Sequence, residues 1–139
     1  MHNAWMRAVC GRLKSDYRYS KNIVYNNFIW PQTARTGSAP YLEAGRACRP
    51  ATAAIVDSIS AAAQTILDAR KRYLDADPAC TLAILYNPET MPPDLVKAHQ
   101  RLDALVDRAY GRSFASDADR VAHLFRLYGE RTGSGGEIK

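Results

Sequence analysis

The sequence predicts a mainly α-helical protein, in which a small three-helix C-terminal domain follows a helix and a strand. Apolar residues recur at helical spacing through three segments after residue 50. Before residue 32 a short stretch is rich in aromatic and β-branched residues, which are typical of a strand. We therefore divide the chain into an N-terminal region (1–31), a Gly-, Pro-, Ser- and Thr-containing linker (32–50), a helical domain (51–131) and a tail (132–139).

The N-terminal region is predicted to hold one helix and one strand. Between His2 and Leu13 apolar residues stand four apart, which indicates a short amphipathic helix ending near Gly11. Ile23–Tyr25 is predicted as a strand, and the absence of a polar face predicts that it is buried on both sides. Asn26-Asn27 is interpreted as a turn. Five aromatic residues are expected to lie mostly in the core: Tyr17, Tyr19, Tyr25, Phe28 and Trp30.

The first helix of the C-terminal domain is predicted from Ala51 to Tyr73, where Ile and Ala residues form an apolar stripe. A short helical turn is expected from Thr81 to Tyr86. Two prolines, Pro92 and Pro93, fit the first turn of the next helix, because proline's missing N–H has no helical partner there.

That helix is predicted to end at Tyr110, with Gly111 as its C-terminal stop. The last helix is predicted to begin at Ser116, with Asp119 three residues later as a weaker form of the capping box. Its apolar face is assigned to Val121, Leu124, Phe125 and Tyr128. Three helices of this length are expected to bury one small shared core and to gain stability by docking on something larger.

The positive charge is concentrated at the N-terminal end. Residues 1–50 carry eight Lys and Arg against two Asp and Glu, a net charge of +6, although the whole chain has only +5. The remaining residues therefore sum to −1. This asymmetry favours a polyanionic partner for the first third of the chain, with an ordinary basic surface as the alternative.

Patterns that would indicate catalysis are missing. The sequence has no G-x-G-x-x-G or P-loop turn for a cofactor, no D/N-P-P-Y/F motif and no C-x-x-C pair for zinc. Asn87-Pro88-Glu89-Thr90 is interpreted as a helix-breaking turn. The three histidines are isolated in sequence. No signal peptide or membrane-spanning run is present, so the chain is expected to be cytoplasmic. Because the catalytic motifs are missing, it is also expected to be a non-enzyme with neither metal nor cofactor.

A longer pattern carries a family resemblance. Tyr17 to Pro31 reads Y-R-Y-S-K-N-I-V-Y-N-N-F-I-W-P, which resembles the end of the target-recognition domain of bacterial MmeI-like (Type IIL) restriction-modification proteins. L-Y-N-P-E-T-M-P-P-D-L-V-K-A-H-Q-R-L-D at Leu85 to Asp103 is similar to that family's small helical C-terminal domain. So are V-D-R-A-Y-G at Val106 to Gly111 and D-R-V-A-H-L-F-R-L-Y at Asp119 to Tyr128. The resemblance covers nearly the whole chain except the linker.

The resemblance implies a DNA adenine methyltransferase that uses S-adenosylmethionine and is often fused to an endonuclease. The catalytic portions would precede Met1, so the chain is expected to be a non-catalytic fragment that contributes DNA recognition and structural support. Its expected partners are duplex DNA and the methyltransferase and recognition portions of the parent protein. The predicted DNA-binding residues precede the predicted strand: Arg12, Lys14, Arg18, Tyr19, Ser20, Lys21 and Asn22.

Two departures from the family pattern keep other interpretations open. Ile29 stands where the family usually has proline, and the linker is longer and different in composition. Both would follow if the gene had decayed. The alternatives are therefore a stand-alone helical protein-interaction module, with the basic region as a docking arm, or a non-functional gene remnant.

Overall fold

A computed structural model describes residues 1–31 and 52–133. The predicted linker and the end of the tail lie outside these residues. The described part is mostly helical, as predicted. It contains helices α1 (His2–Val9), α2 (Ala53–Ala76), α3 (Leu82–Leu85), α4 (Pro93–Ala109) and α5 (Asp117–Thr132). A two-stranded antiparallel sheet, β1 (Gly11–Leu13) with β2 (Asp16–Arg18), and a π-helical turn (Lys21–Tyr25) follow α1.

The start and end of α4 and the start of α5 agree with the sequence because they rest on local capping chemistry, whereas α2 continues to Ala76, beyond the predicted end at Tyr73. Ser116 caps α5, its Oγ accepting a hydrogen bond from the Asp119 N–H. Thr52 caps α2 in the same way, from the Ile55 N–H. Pro93 begins α4, and Gly111 follows that helix with a φ of +82°, a left-handed conformation that glycine adopts at low cost.

The predicted strand Ile23–Tyr25 is wrong, because these residues form the π-helical turn. The Val24 N–H bonds to the Ser20 carbonyl at 2.8 Å. The Asn27 side-chain amide donates to the carbonyls of Asn22 and Ile23, each at 3.2 Å. These hydrogen bonds from the Asn27 side chain stabilise the turn, and they outweigh the preference of the β-branched and aromatic residues for a strand. The predicted turn at Asn26-Asn27 is confirmed.

The expectation that the N-terminal aromatics are buried is also wrong for four of the five. Phe28 is buried, but the other four side chains are 41% to 53% exposed: Tyr17, Tyr19, Tyr25 and Trp30. The fully buried residue of the turn is instead Val24. A helical turn presents one of its residues to the core, whereas a strand buried on both sides would bury them all.

The sequence predicted one core shared by the helices. The described helices instead form two apolar clusters. The first, called here the recognition-side cluster, joins the N-terminal region to α5 and the end of α4: Trp5, Val24, Phe28, Tyr110, Leu124 and Leu127. The second lies between α2, α3 and α4: Ile66, Ala69, Leu85, Leu95 and Ala98. Phe125, assigned to the apolar face of α5, is half exposed, and the buried position is Leu127. The N-terminal region therefore supplies half of one cluster.

Hydrogen bonds reinforce this packing. The indole N–H of Trp5 donates to the Val24 carbonyl at 3.0 Å, which holds the π-helical turn on α1. The Tyr110 hydroxyl donates to the Ile29 carbonyl at 2.8 Å, which joins residues 81 positions apart. Both bonds satisfy backbone carbonyls near the cluster, where an unpaired acceptor would be costly. They place the N-terminal region on the helical domain.

None of the helices in the described ranges is long and apolar enough to cross a membrane.

Candidate nucleic-acid interface

The predicted DNA-binding residues lie in and just after a β-hairpin that the sequence did not predict. Strand β1 pairs with β2 so that Arg12 faces Tyr17 and Leu13 faces Asp16. Lys14 and Ser15 form the turn at the tip of the hairpin. Every residue from 11 to 19 is exposed, so both faces of the hairpin are open to solvent. We call residues 11–18 the recognition hairpin.

Lys14 adopts a φ of +56° at the first position of this two-residue turn. A positive φ suits the twist of a tight hairpin, but it costs a non-glycine residue about 1 kcal/mol. Hairpin turns of this kind usually contain Gly, Asn or Asp at that position. The absence of such a residue explains why the sequence did not predict the hairpin. The sequence signal that could have indicated the hairpin is the pair of short stretches on either side of Lys14-Ser15, in which an arginine adjoins a leucine or a tyrosine.

The hairpin displays positive charge. Three cations, Arg12, Lys14 and Arg18, project from it, and Lys21 follows in the π-helical turn. No carboxylate forms an ion pair with any of the four within the described ranges. By contrast, Arg7 on α1 lies 3.8 Å from a carboxylate of α5. The unpaired cations therefore create a local positive field that suits a polyanion.

Arg12 is held in a defined direction by its cross-strand partner. Its guanidinium carbon lies 4.3 Å from the centre of the Tyr17 ring, and one of its nitrogens donates to the Tyr17 hydroxyl at 3.0 Å. Stacking of this kind contributes about 0.5–1 kcal/mol at an exposed site. Tyr17, which the sequence assigned to the core, thus orients a basic residue on one face of the hairpin.

The remaining predicted residues have more limited roles. The Tyr19 hydroxyl lies 3.2 Å from Nε2 of His2. The Ser20 carbonyl accepts the first hydrogen bond of the π-helical turn. Asn22 already uses its side-chain oxygen, which accepts from the Asn26 amide at 3.4 Å, and its backbone carbonyl accepts from Asn27. Asn22 is thus partly engaged within the turn.

His2 is a residue that the sequence reasoning missed. Its ring packs edge-on against Phe28 at 4.6 Å and stacks on Trp30 at 5.8 Å. Burial lowers the pKa of His2 from its ordinary value, with a smaller effect from the neighbouring amino terminus. The lower pKa favours the neutral form of the ring. No sequence pattern marks this position, since the contact depends on a residue 17 positions away.

Two other features carry no indication of a catalytic or ligand site. Within residues 1–31 and 52–133 no group of three or more His, Cys, Asp or Glu residues is placed to hold a metal ion. A cavity of about 640 Å³ separates α1 from α2 and α4. Its walls include Phe28, Val56 and Tyr110, and none of the predicted DNA-binding residues lines it.

Comparison with known proteins connects these features to one family. The protein-family model of the MmeI target recognition domain matches residues 1–32, and the family model of the MmeI C-terminal domain matches residues 51–134. DNA methyltransferase A of Bacillus subtilis (strain 168) is 39% identical over 133 residues, which are 95% of this chain and 12% of that protein.

A solved structure of the Type IIL restriction-modification enzyme MmeI in complex with DNA is 40% identical to this chain, with a TM-score of 0.73. The match covers 95% of this chain and 15% of that one. The chain therefore spans less than a sixth of either relative. Because one family model covers more than half of its residues, the chain belongs to the MmeI family of restriction-modification DNA methyltransferases, of which it contains a recognition-domain segment and the C-terminal domain.

Proposed function

We propose that this chain contributes DNA target recognition and structural support to a cytoplasmic DNA adenine methyltransferase of the restriction-modification type, and that it performs no chemistry itself. The observation that carries the proposal is the recognition hairpin, an exposed two-stranded element. Its cations, Arg12, Lys14 and Arg18, form no ion pair with a carboxylate of the described residues. The solved relative, MmeI, is in complex with DNA.

The shape of the hairpin suits duplex DNA. The major groove of B-DNA admits a two-stranded β-ribbon as well as an α-helix, and both faces of this ribbon are free to meet the groove walls. Arg12 and Arg18 can bind phosphates or the edge of guanine through two parallel hydrogen bonds, and Lys14 at the tip can bind phosphate as a compact charge. We therefore propose that this hairpin supplies affinity for the DNA phosphates and some of the contacts with base edges.

The helical domain is proposed as the support for the hairpin. The recognition-side cluster unites residues of the N-terminal region with α5, so the hairpin rises from a surface that α5 helps to build. Exposed apolar side chains on α3, Leu82 and Ile84, are the kind of surface that the remaining portions of a longer protein would cover. These portions, which would hold the methyltransferase site, are the proposed protein partners.

No residue of this chain is proposed to bind S-adenosylmethionine. Such a site requires a glycine-rich turn between a strand and a helix, and the sequence has none. In the described part of the chain β2 is followed by the π-helical turn, which supplies no such cradle. We propose that the cofactor binds to the methyltransferase portion of the larger protein.

Replacing Arg12, Lys14 and Arg18 together by alanine should weaken binding of the chain to duplex DNA and reduce its dependence on salt. Each lost phosphate contact reduces the magnitude of the slope of log K against log salt concentration by about 0.9. Fluorescence anisotropy with a labelled duplex at several salt concentrations measures both quantities.

The matched control removes the same charge from the helical domain. Lys97, Arg101 and Arg131 are exposed and form no ion pair within the described ranges, so their replacement by alanine also lowers the net charge by three. We expect the control to keep a steeper salt dependence than the hairpin variant. Equal losses in the two variants, or binding of the parent chain that does not respond to salt, would contradict the assignment.

A further inference from the structure

The recognition hairpin has few connections to the rest of the molecule. Strands β1 and β2 pack chiefly on each other. The hairpin is joined to the helical body by its two ends, Cys10 at the end of α1 and Tyr19 after β2. Cys10 is fixed by the backbone hydrogen bond that its N–H donates to the Met6 carbonyl at 3.0 Å. The direction of the hairpin therefore depends on what fixes Tyr19.

Tyr19 is fixed by a side-chain contact with His2. The Tyr19 hydroxyl lies 3.2 Å from Nε2 of His2, and the two ring centres are 6.1 Å apart. His2 in turn contacts the buried ring of Phe28, which belongs to the recognition-side cluster. One histidine thus connects the exit of the hairpin to the core.

This contact is the single hydrogen bond of the His2 ring within the described part of the chain. The other ring nitrogen, Nδ1, is buried and has no hydrogen-bond partner there. The cost of this unpaired nitrogen opposes the position of the ring, which is held there by its contacts with Phe28 and Trp30 and by the bond to Tyr19. The half-exposed Tyr19 ring, meanwhile, has its hydroxyl directed towards the protein.

We propose that His2 and Tyr19 act as a clamp that fixes the orientation of the recognition hairpin, so that Tyr19 is a positioning residue and does not contact DNA directly. The consequence for DNA binding rests on the proposed function of the hairpin, whereas the clamp itself concerns the free protein. This assignment differs from the sequence-based one, which grouped Tyr19 with the DNA contacts.

The experiment compares His2→Phe, Tyr19→Phe and the double variant in the full chain. Phenylalanine keeps an aromatic ring at each position and removes the atoms that form the hydrogen bond. NMR relaxation reports the order of the Leu13 and Ser15 amides without DNA, and anisotropy reports affinity for a labelled duplex. We expect each single variant to lower hairpin order and weaken DNA binding by about three- to tenfold, the effect of one ordinary hydrogen bond. The double variant should lose no more than either single variant.

The helical domain offers a control with the same chemistry. The Tyr86 hydroxyl lies 3.0 Å from Nε2 of His99, and the two rings meet edge to face. His99→Phe therefore removes an equivalent bond away from the hairpin, and we expect it to leave hairpin order and DNA affinity unchanged. Urea unfolding of all variants reports their stability.

Three results would overturn the clamp. Tyr19→Phe would weaken DNA binding while His2→Phe would not, if Tyr19 contacts DNA directly. Additive losses would show that the two residues act separately. Unchanged hairpin order, with lower stability alone, would indicate a purely structural contact. If the parent chain fails to bind DNA, the proposed function fails, and hairpin order in the free protein still decides the clamp.

Discussion

Replacing Asp107 by alanine is expected to lower the free energy of unfolding by about 3 kcal/mol. Asp107 is buried on α4, and its two carboxylate oxygens accept hydrogen bonds from Arg120 of α5 at 3.1 and 2.7 Å. The alanine leaves a largely buried guanidinium without this partner. Breaking a buried pair from one side typically costs about 3–5 kcal/mol, and we expect the low end because Arg120 keeps its bond to Asp117.

Urea unfolding followed by circular dichroism measures this loss. The matched control is Lys71→Ala, which removes a salt bridge of 2.7 Å to Asp75 on the exposed side of α2. Exposed pairs four residues apart on a helix contribute about 0.3–0.5 kcal/mol, so the control should change stability only slightly. Similar losses for Asp107→Ala and Lys71→Ala would show that burial does not set the strength of these pairs.

Replacing Trp5 by alanine is expected to cost about 3–5 kcal/mol and to release the N-terminal region from α5. Trp5 is 2% exposed, and its ring lies 5.1 Å from that of Phe125 and 6.2 Å from that of Tyr128. The substitution removes this packing and also the indole hydrogen bond to the Val24 carbonyl. Both losses fall on the recognition-side cluster, which supports the hairpin.

Hydrogen exchange together with urea unfolding measures the effect. Protection of residues 2–28 should fall most, while the cluster between α2 and α4 keeps more of its protection because it shares no buried residue with the first. Leu67→Ala is the control: this leucine on α2 is 51% exposed, so its loss should change stability by about 0.5 kcal/mol or less. A loss below 1 kcal/mol for Trp5→Ala would contradict the proposed role of the indole.

The helices could be predicted because their causes are local. Ser116 and Pro93 mark helix starts through chemistry that involves only a few neighbouring residues, and both positions are confirmed. The division of the apolar faces into two clusters could not be predicted. Which faces meet depends on how the N-terminal region docks on α5, and that contact joins residues more than 100 positions apart, such as Trp5 and Phe125.

The N-terminal region shows the opposite case. Ile23–Tyr25 has the composition of a strand, but it has no strand partner in the described structure, and Asn27 binds the carbonyls of the turn instead. The hairpin, in turn, forms around Lys14, a residue that rarely marks such turns. The positions of Arg12, Lys14 and Arg18 as candidate DNA contacts came from charge and family resemblance alone. Their place in a hairpin is the contribution of the structure.

The measurement that most directly tests the central claim is an NMR titration of the chain with duplex DNA at low salt. If the recognition hairpin contacts DNA, the largest amide shifts should fall between Gly11 and Lys21, and added salt should reverse them. The amides of α2 and α4 should change little. Shifts concentrated on those helices, with the hairpin amides unmoved, would contradict the account.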